Sequence, residues 1–515
     1  MTVPLGDREP ATSFASRLAR RNGCINAWEF CEDMGLKYSL ILKGDPTAIA
    51  EIARLGGVDA EKLACHTFRR PNLRIVEIGQ EIITRTELFR SGIRFCPDCV
   101  SSDLAAWPHL GAAAPYQRPE WHLTTIRTCT EHGRALVSFS QLSPRTNRGD
   151  FSQAIGEALR ELDTPSTHAV LRSPSQLERY LLARLSGRHN KQRDWLDHFP
   201  LYAAARLTEV VGCTKLYGLA TRRGLLTDDQ LQRAGSAGWD ILKDGPAGFE
   251  RFLEGPVKAF WSSRHDAGPK SLLGPMYEWL AENDTDPAYH LAREVISAFL
   301  LRTIPFGVKN RVFGTPVGRR RIWSIHTLAK ETKQHPKRLR KLLITRGIIG
   351  RESAELSDHR VTFPADNSVS DFLEEIGELM SQKAARAYLK TSRSQMAVLI
   401  RADTLVPYAT EEGSVAIRPL FLKRHLDDFL RRLTIDAIST AIPPSRSVNI
   451  PKAAKAARTS AAAVVDLLLR RRLIHVSRDP DLQGYFSILV DPAEVRDRLR
   501  DATFSLAESF SGPTG

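Results

Sequence analysis

The chain lacks any long apolar run. No stretch approaches the ~20 apolar residues that a bilayer span requires, and Met1 to Pro10 is polar, without the apolar core of a signal peptide. A cytoplasmic protein with no membrane partner is expected. Cysteine is scarce: the seven in this chain are an odd number spread too thinly for a disulfide framework. Signatures of catalysis are missing too. There is no GxxxxGK[ST], HExxH or GxSxG pattern, and spacing alone assembles no paired-carboxylate site. A binding protein is expected, not an enzyme. Acidic residues are also short, 59 against 73 Lys plus Arg for a formal charge of +14. That excess favours polyanionic partners, nucleic acid foremost.

What is present suffices to build cores, with 42% hydrophobic against 26% charged residues, a globular balance. A chain of 515 residues has room for about three to four domains at roughly 100 to 200 residues each. Helical spacing dominates. Phe14, Leu18 and Ala19 recur on one face before the Asn22-Gly23 break, and Ile49, Ile52, Ala53 and Leu55 repeat the pattern. Short strands and turns are expected between Phe95 and Phe139, and Ser143 to Asp150 reads as a linker. Helices return from about 170 to 308, with Leu177, Tyr180, Leu181 and Leu185 on one face. Gly245-Pro246, Gly255-Pro256 and Pro305-Phe306-Gly307 are expected to divide them into hairpins.

Cys96-Pro97-Asp98-Cys99 is followed at a distance by Cys129-Thr130-Glu131-His132. Two-residue gaps let paired side chains converge on one ion, and a second pair closes a tetrahedron. Cys96, Cys99, Cys129 and His132 are therefore expected to hold one structural Zn2+ per chain. A redox pair or two packed thiols would also use Cys-x-x-Cys, though a redox site calls for a βαβ context. His109, His122 and Cys65-His66 stand near enough to substitute for a ligand. The remaining Cys24, Cys31, Cys65 and Cys213 are expected in buried apolar positions. Trp107 and Trp121 are expected as core around the metal.

The run Phe95-Cys96-Pro97-Asp98-Cys99, then Trp121, then Thr128-Cys129-Thr130-Glu131-His132-Gly133 and Leu136 resembles the zinc module of the TniQ/TnsD family of transposon target-site selectors. Ser16 to Gly23 resembles the family's opening segment, with Phe14 and Ala15 where a Ser-Trp or similar pair is more usual. The resemblance covers residues 1 to about 150, and the longer TnsD-like members match the repeats described next. It implies target-site selection and recruitment of an AAA+ ATPase regulator, with the transposase engaged indirectly.

Three C-terminal segments align as an internal repeat: Ile325 to Ile349, Lys383 to Val406, and Pro451 to Ile474. Each reads as a helix-turn-helix unit, whose second helix packs one face and turns the other to the major groove. In the first, Leu339, Leu342 and Leu343 face inward. Lys337, Arg338, Arg340, Lys341 and Arg346 are then left for phosphates and base edges, within a stretch from Lys309 to Arg346 of twelve basic residues and one acid, Glu331. A solvated basic face is the bland alternative. The second unit offers Arg393, Ser394, Gln395 and Arg401 behind a Ser392 cap. In the third, Ala461, Ala462 and Ala463 occupy the outward first turn, leaving Arg470, Arg471 and Arg472 as a phosphate clamp. None of the inter-helix turns contains the usual glycine; they carry Lys333-Gln334, Lys390 and Arg458. Val361-Thr362-Phe363 and Ala416-Ile417 are expected as strands leading into helices.

The expected fold is mainly α. It comprises a TniQ-like helical and zinc-binding domain over 1–145, a helical middle domain over 151–317, and helix-turn-helix units with short strands over 318–365, 366–440 and 446–500. Duplex DNA, the ATPase and the transposase are the expected partners, with a CRISPR effector complex or a second copy of the chain as further candidates. Competing readings are a zinc-containing adaptor that links such a complex to the transposition machinery, and a zinc and helix-turn-helix transcriptional regulator.

Overall fold

The computed structural model describes residues 1–143, 146, 149–162, 165–188, 194–263, 268–408, 419–435, 437–439 and 446–510. They form two units, Met1–Arg302 with Lys309–Val317 and Thr303–Val308 with Gly318–Gly515. Helix dominates both, and the strands are short. No described helix is long and apolar enough to cross a membrane.

The N-terminal unit opens with five short helices, Ala11–Arg21, Ala27–Asp33, Tyr38–Lys43, Pro46–Gly56 and Ala60–Cys65. Their apolar stripes, Phe14, Leu18, Ile41, Ile49, Ile52 and Leu63 among them, close on one core. The stops are local chemistry: Asn22 ends the first helix, and Pro46–Gly56 starts behind the Asp45 cap with proline at its first position and ends at left-handed Gly57. Arg17 is buried in this core, bonding Glu9 at 2.6 Å and the Ala113 carbonyl at 2.8 Å. Asp150, expected in a linker, is buried instead. It accepts from the Ser16 hydroxyl and the Ala27 amide and caps the Phe151–Glu161 helix. That helix packs Phe151, Ala154, Ile155 and Ala158 against the cysteine-bearing segments.

Farther along, the Leu201–Tyr217 and Asp228–Leu242 helices meet backbone to backbone. A Cβ on Gly212 would stand 1.7 Å from the Ala234 carbonyl oxygen, and one on Gly238 1.9 Å from that of Thr208. Only glycine permits that approach. Buried ion pairs tie helices to earlier segments: Glu209 of Leu201–Tyr217 pairs with Arg127, and Arg184 of the Gln176–Leu185 helix with Glu81, each at 2.6 Å. Gly255-Pro256 does not divide the middle region; it lies inside one helix, Gly245–Ser263.

The C-terminal unit repeats the order strand, helix, helix, strand, helix three times. The first repeat runs Ile322–Ser324, Ile325–Thr332, Pro336–Thr345, Thr362–Pro364 and Asn367–Glu378, its strands antiparallel with Trp323 opposite Phe363. The second runs Leu379–Ser381, Gln382–Leu389, Arg393–Arg401, Leu420–Leu422 and Lys423–Thr434, with Met380 opposite Phe421. The third runs Val448–Asn449, Ile450–Ala456, Ala461–Leu469, Ile488–Val490 and Pro492–Phe510. Strands Val476–Arg478 and Ile438–Ser439 widen its sheet. The expected strand at Ala416-Ile417 lies outside the described residues; the strand preceding the Lys423–Thr434 helix is Leu420–Leu422. The second and third repeats share one core, with Leu389, Met396 and Leu399 packed among Ile450, Val464 and Val465.

Candidate metal centre and nucleic-acid interface

Strand Ile93–Phe95 delivers Cys96 to the N-cap of helix Pro97–Ala106, whose first turn presents Cys99. The other pair sits on a hairpin between Thr128–Cys129 and Arg134–Ala135. Gly133 takes the left-handed conformation that closes its turn and donates to the Cys129 carbonyl at 3.0 Å. Cys96, Cys99, Cys129 and His132 thereby bring four ligand atoms within 4.8 Å of one another, the three cysteines buried and the histidine half-buried. His132 Nδ1 lies 3.8, 3.3 and 3.6 Å from the sulfurs of Cys96, Cys99 and Cys129, and Cys99 Sγ lies 3.6 Å from Cys129 Sγ. Those are edge lengths of a tetrahedron with metal–sulfur bonds of about 2.3 Å and metal–nitrogen bonds of about 2.0 Å. The group could hold a metal ion.

Electrostatics agree with that use. Hydrogen bonds from the Cys129 and Cys99 thiols pull the Cys96 thiol down to about 3, and the same bonds push Cys99 up. A cation among the crowded sulfurs would take them as thiolates. Around them, Asp98 and Arg134 pair at 2.5 Å. Arg118 grips Asp103 with two bonds of 2.5 and 2.9 Å and lies against the Trp121 ring. Glu131 Oε2 stands 3.6 Å from Cys99 Sγ.

Trp121 belongs to this core. Trp107 does not: it packs against the N-terminal helices, with the Arg17 guanidinium over its ring. His109 is exposed with its backbone carbonyl bonded to Arg21, and the His122 ring packs on Phe68, so neither joins the ligand group. Of the other cysteines, Cys31 and Cys213 are buried as expected, Cys24 is half-buried and Cys65 is exposed. Cys65 ends its helix on the solvent side.

In the first repeat, Leu339, Leu342 and Leu343 are all buried. Lys337 is exposed, Arg338 bonds Gln334 at 3.2 Å, and Lys341 is half-buried. Arg340 is engaged within the chain: its guanidinium bonds the Ser353 and Leu356 carbonyls and Asp358, so it clamps the following loop. Arg346 pairs with Glu375 at 2.6 Å. In the second repeat Arg393, Ser394 and Arg401 are exposed and Gln395 is half-buried. In the third, Arg470 pairs with Asp466 at 2.9 Å, and Arg471 and Arg472 are exposed. Ala461 is a correction, because it is buried and faces the shared core, not solvent.

The sequence left three residues unassigned that the backbone makes conspicuous. Lys333, Lys390 and Arg458 hold the left-handed conformation, with φ of 55°, 52° and 52°, each in the turn between its two helices. All three are exposed. The missing glycine in these turns was their only signal.

Residues 1–136 match the TniQ family model, so the chain carries a TniQ domain, of the kind found in transposition-associated adaptors and target selectors, and the match takes in all four metal-ligating candidates. No curated protein matches the chain.

Proposed function

From a chain whose first 136 residues are a TniQ domain, we propose a target-site selector for transposition, acting by binding and without turnover of its own. Zn2+ is the metal that best suits three thiolates and an imidazole, and four protein ligands leave no open position, so its role is to staple the domain. The N-terminal unit engages an AAA+ ATPase regulator, and through it the transposase. The C-terminal unit binds duplex DNA in the bacterial cytoplasm through three helix-turn-helix units.

The single observation that carries the DNA reading is the threefold repeat itself. Each second helix starts behind a capped turn whose left-handed residue is an exposed Lys or Arg where glycine would be unstrained. A basic side chain kept at the same strained point three times supports contact with a repeating polyanion. In this reading Lys337, Arg338 and Lys341 of the first repeat and Arg393, Ser394 and Arg401 of the second approach phosphates and base edges, while Arg471 and Arg472 contact phosphates only. The units are taken at the repeats, 322–378, 379–434 and 448–510, so the expected limits of 318–365, 366–440 and 446–500 shift, the first boundary moving past the Asn367–Glu378 helix.

The test is duplex binding by the intact chain over a range of salt. Site-specific affinity with a steep salt slope, and no strand cutting or joining with magnesium, is the expected result. Absence of duplex binding, or unaided cleavage, overturns the reading. Metal analysis accompanies it, with one zinc per chain expected and its loss in a Cys99→Ser, Cys129→Ser variant.

A further inference from the structure

A second site lies on the N-terminal unit, apart from the metal group. Between the Phe68 to Arg70 segment, the Arg85 to Arg94 segment and the Trp121-His122 turn is a cavity of about 290 Å³. Its lining carries Arg70, Arg85, Arg90 and Arg94 together with a neutral His122, and no acidic residue among the described residues. Arg94 is buried and committed, donating to the Trp121 and Leu123 carbonyls. The rim is different. Arg70 and Arg85 are exposed, and neither is ion-paired among the described residues. Partial burial of its guanidinium and the nearby Arg85 charge bring Arg70 below its ordinary value. Like charges gathered around an opening without a counter-charge are held apart from their natural partner.

The floor is apolar. Leu88, Ile93 and Phe68 line it, with Phe89 at its side. His122 adds an unfilled demand, since its Nε2 is buried without a hydrogen-bond partner. A partner oxygen or amide reaching the floor would satisfy it.

We infer that this cavity is a docking site for an acidic peptide of a partner protein, taking one apolar side chain on its floor and flanking carboxylates on the Arg70 and Arg85 rim. Planar guanidinium groups pair bidentately with carboxylates, and depletion of acids around an apolar hollow is the complement of such a segment. Size and shape separate this occupant from nucleic acid. A duplex presents its phosphates on a convex backbone that cannot reach a recessed apolar floor, and the volume is at the small end for a whole ligand while ample for one side chain. The inference deepens the recruitment reading and rests on it for the nature of the partner.

The experiment uses the intact chain and fluorescence anisotropy with an end-blocked peptide that alternates aspartate with leucine and phenylalanine. Its lysine counterpart, AMP and a single-stranded oligonucleotide serve as the other probes. Arg85→Glu reverses the rim, and Leu42→Trp, at a half-buried residue that lines the same cavity, narrows it without changing a charge. The acidic peptide should bind, and both variants should weaken it by about tenfold or more, with the melting temperature of the Arg85→Glu variant unchanged. No binding, or binding indifferent to both variants, overturns the site. AMP or the oligonucleotide binding in place of the peptide, and lost in both variants, overturns it in favour of a nucleotide pocket. Duplex binding is measured on the same preparations. Duplex binding without peptide binding removes this inference alone; peptide binding without duplex binding removes the target-selector reading and leaves the pocket.

Discussion

The Asp98 carboxylate and the Arg134 guanidinium meet at 2.5 Å, and each belongs to a different ligand-bearing segment. Asp98 lies between Cys96 and Cys99, and Arg134 follows His132 by two residues while its second arm reaches the Ala169 carbonyl at 2.9 Å. The pair therefore helps to fix the spacing of the two short ligand-bearing segments. Supporting contacts of this kind typically change metal affinity by about 10- to 100-fold. Arg134→Ala should accelerate metal loss to a chelator by about tenfold, with one metal still bound at equilibrium. Release at the parent rate would remove Arg134 from this role.

Lys333 separates strain from function. A non-glycine residue in the left-handed region costs about 1 kcal/mol, partly offset by the freedom glycine gains in the unfolded chain. Lys333→Gly should hold or raise stability in chemical denaturation. The same change should lower the magnitude of the salt slope of duplex binding by about 0.9, one phosphate contact. A stability loss, or an unaltered slope, contradicts the assignment of the turn to DNA.

Arg340 and Lys337 sit three residues apart on one helix and should respond oppositely. Removing the Arg340 guanidinium strands two carbonyls and Asp358, a loss of about 1–3 kcal/mol, and should leave the salt slope alone. Lys337→Ala should move stability by less than about 0.5 kcal/mol and reduce the slope. Equal behaviour of the two variants in both assays would mean that burial does not sort these cations.

His122 predicts an acid-labile fold. Burial, with the Arg70 and Arg94 charges, lowers it to about 3, below the ordinary histidine value of about 6.5. Between those values the unfolded chain binds a proton that the folded chain refuses, so stability falls as pH drops through that window. His122→Gln should flatten the fall of melting temperature from pH 6.5 towards pH 4 relative to the parent. Identical pH profiles would show that His122 is not the group responsible.

The local rules were legible because they act over a few residues. Cys-x-x-Cys with Cys-x-x-His announced a four-ligand group, and the leucine spacing of 339, 342 and 343 announced the buried face of a helix, since both depend only on neighbours along the chain. The repeat was visible for the same reason. What only the tertiary structure decided depended on partners distant in sequence. Asp150 became a core residue because Ser16 and Ala27 meet it, and Trp107 left the metal core because Arg17 drew it to the first helix. Arg340 turned from the helix surface to a loop whose carbonyls no spacing rule foretells. Ala461 turned inward because the second and third repeats share a core. The sequence determined which chemistry each segment carries; the fold decided which side chains remain available to use it, because a cation or an aromatic ring is taken up by whichever distant partner lowers its burial cost.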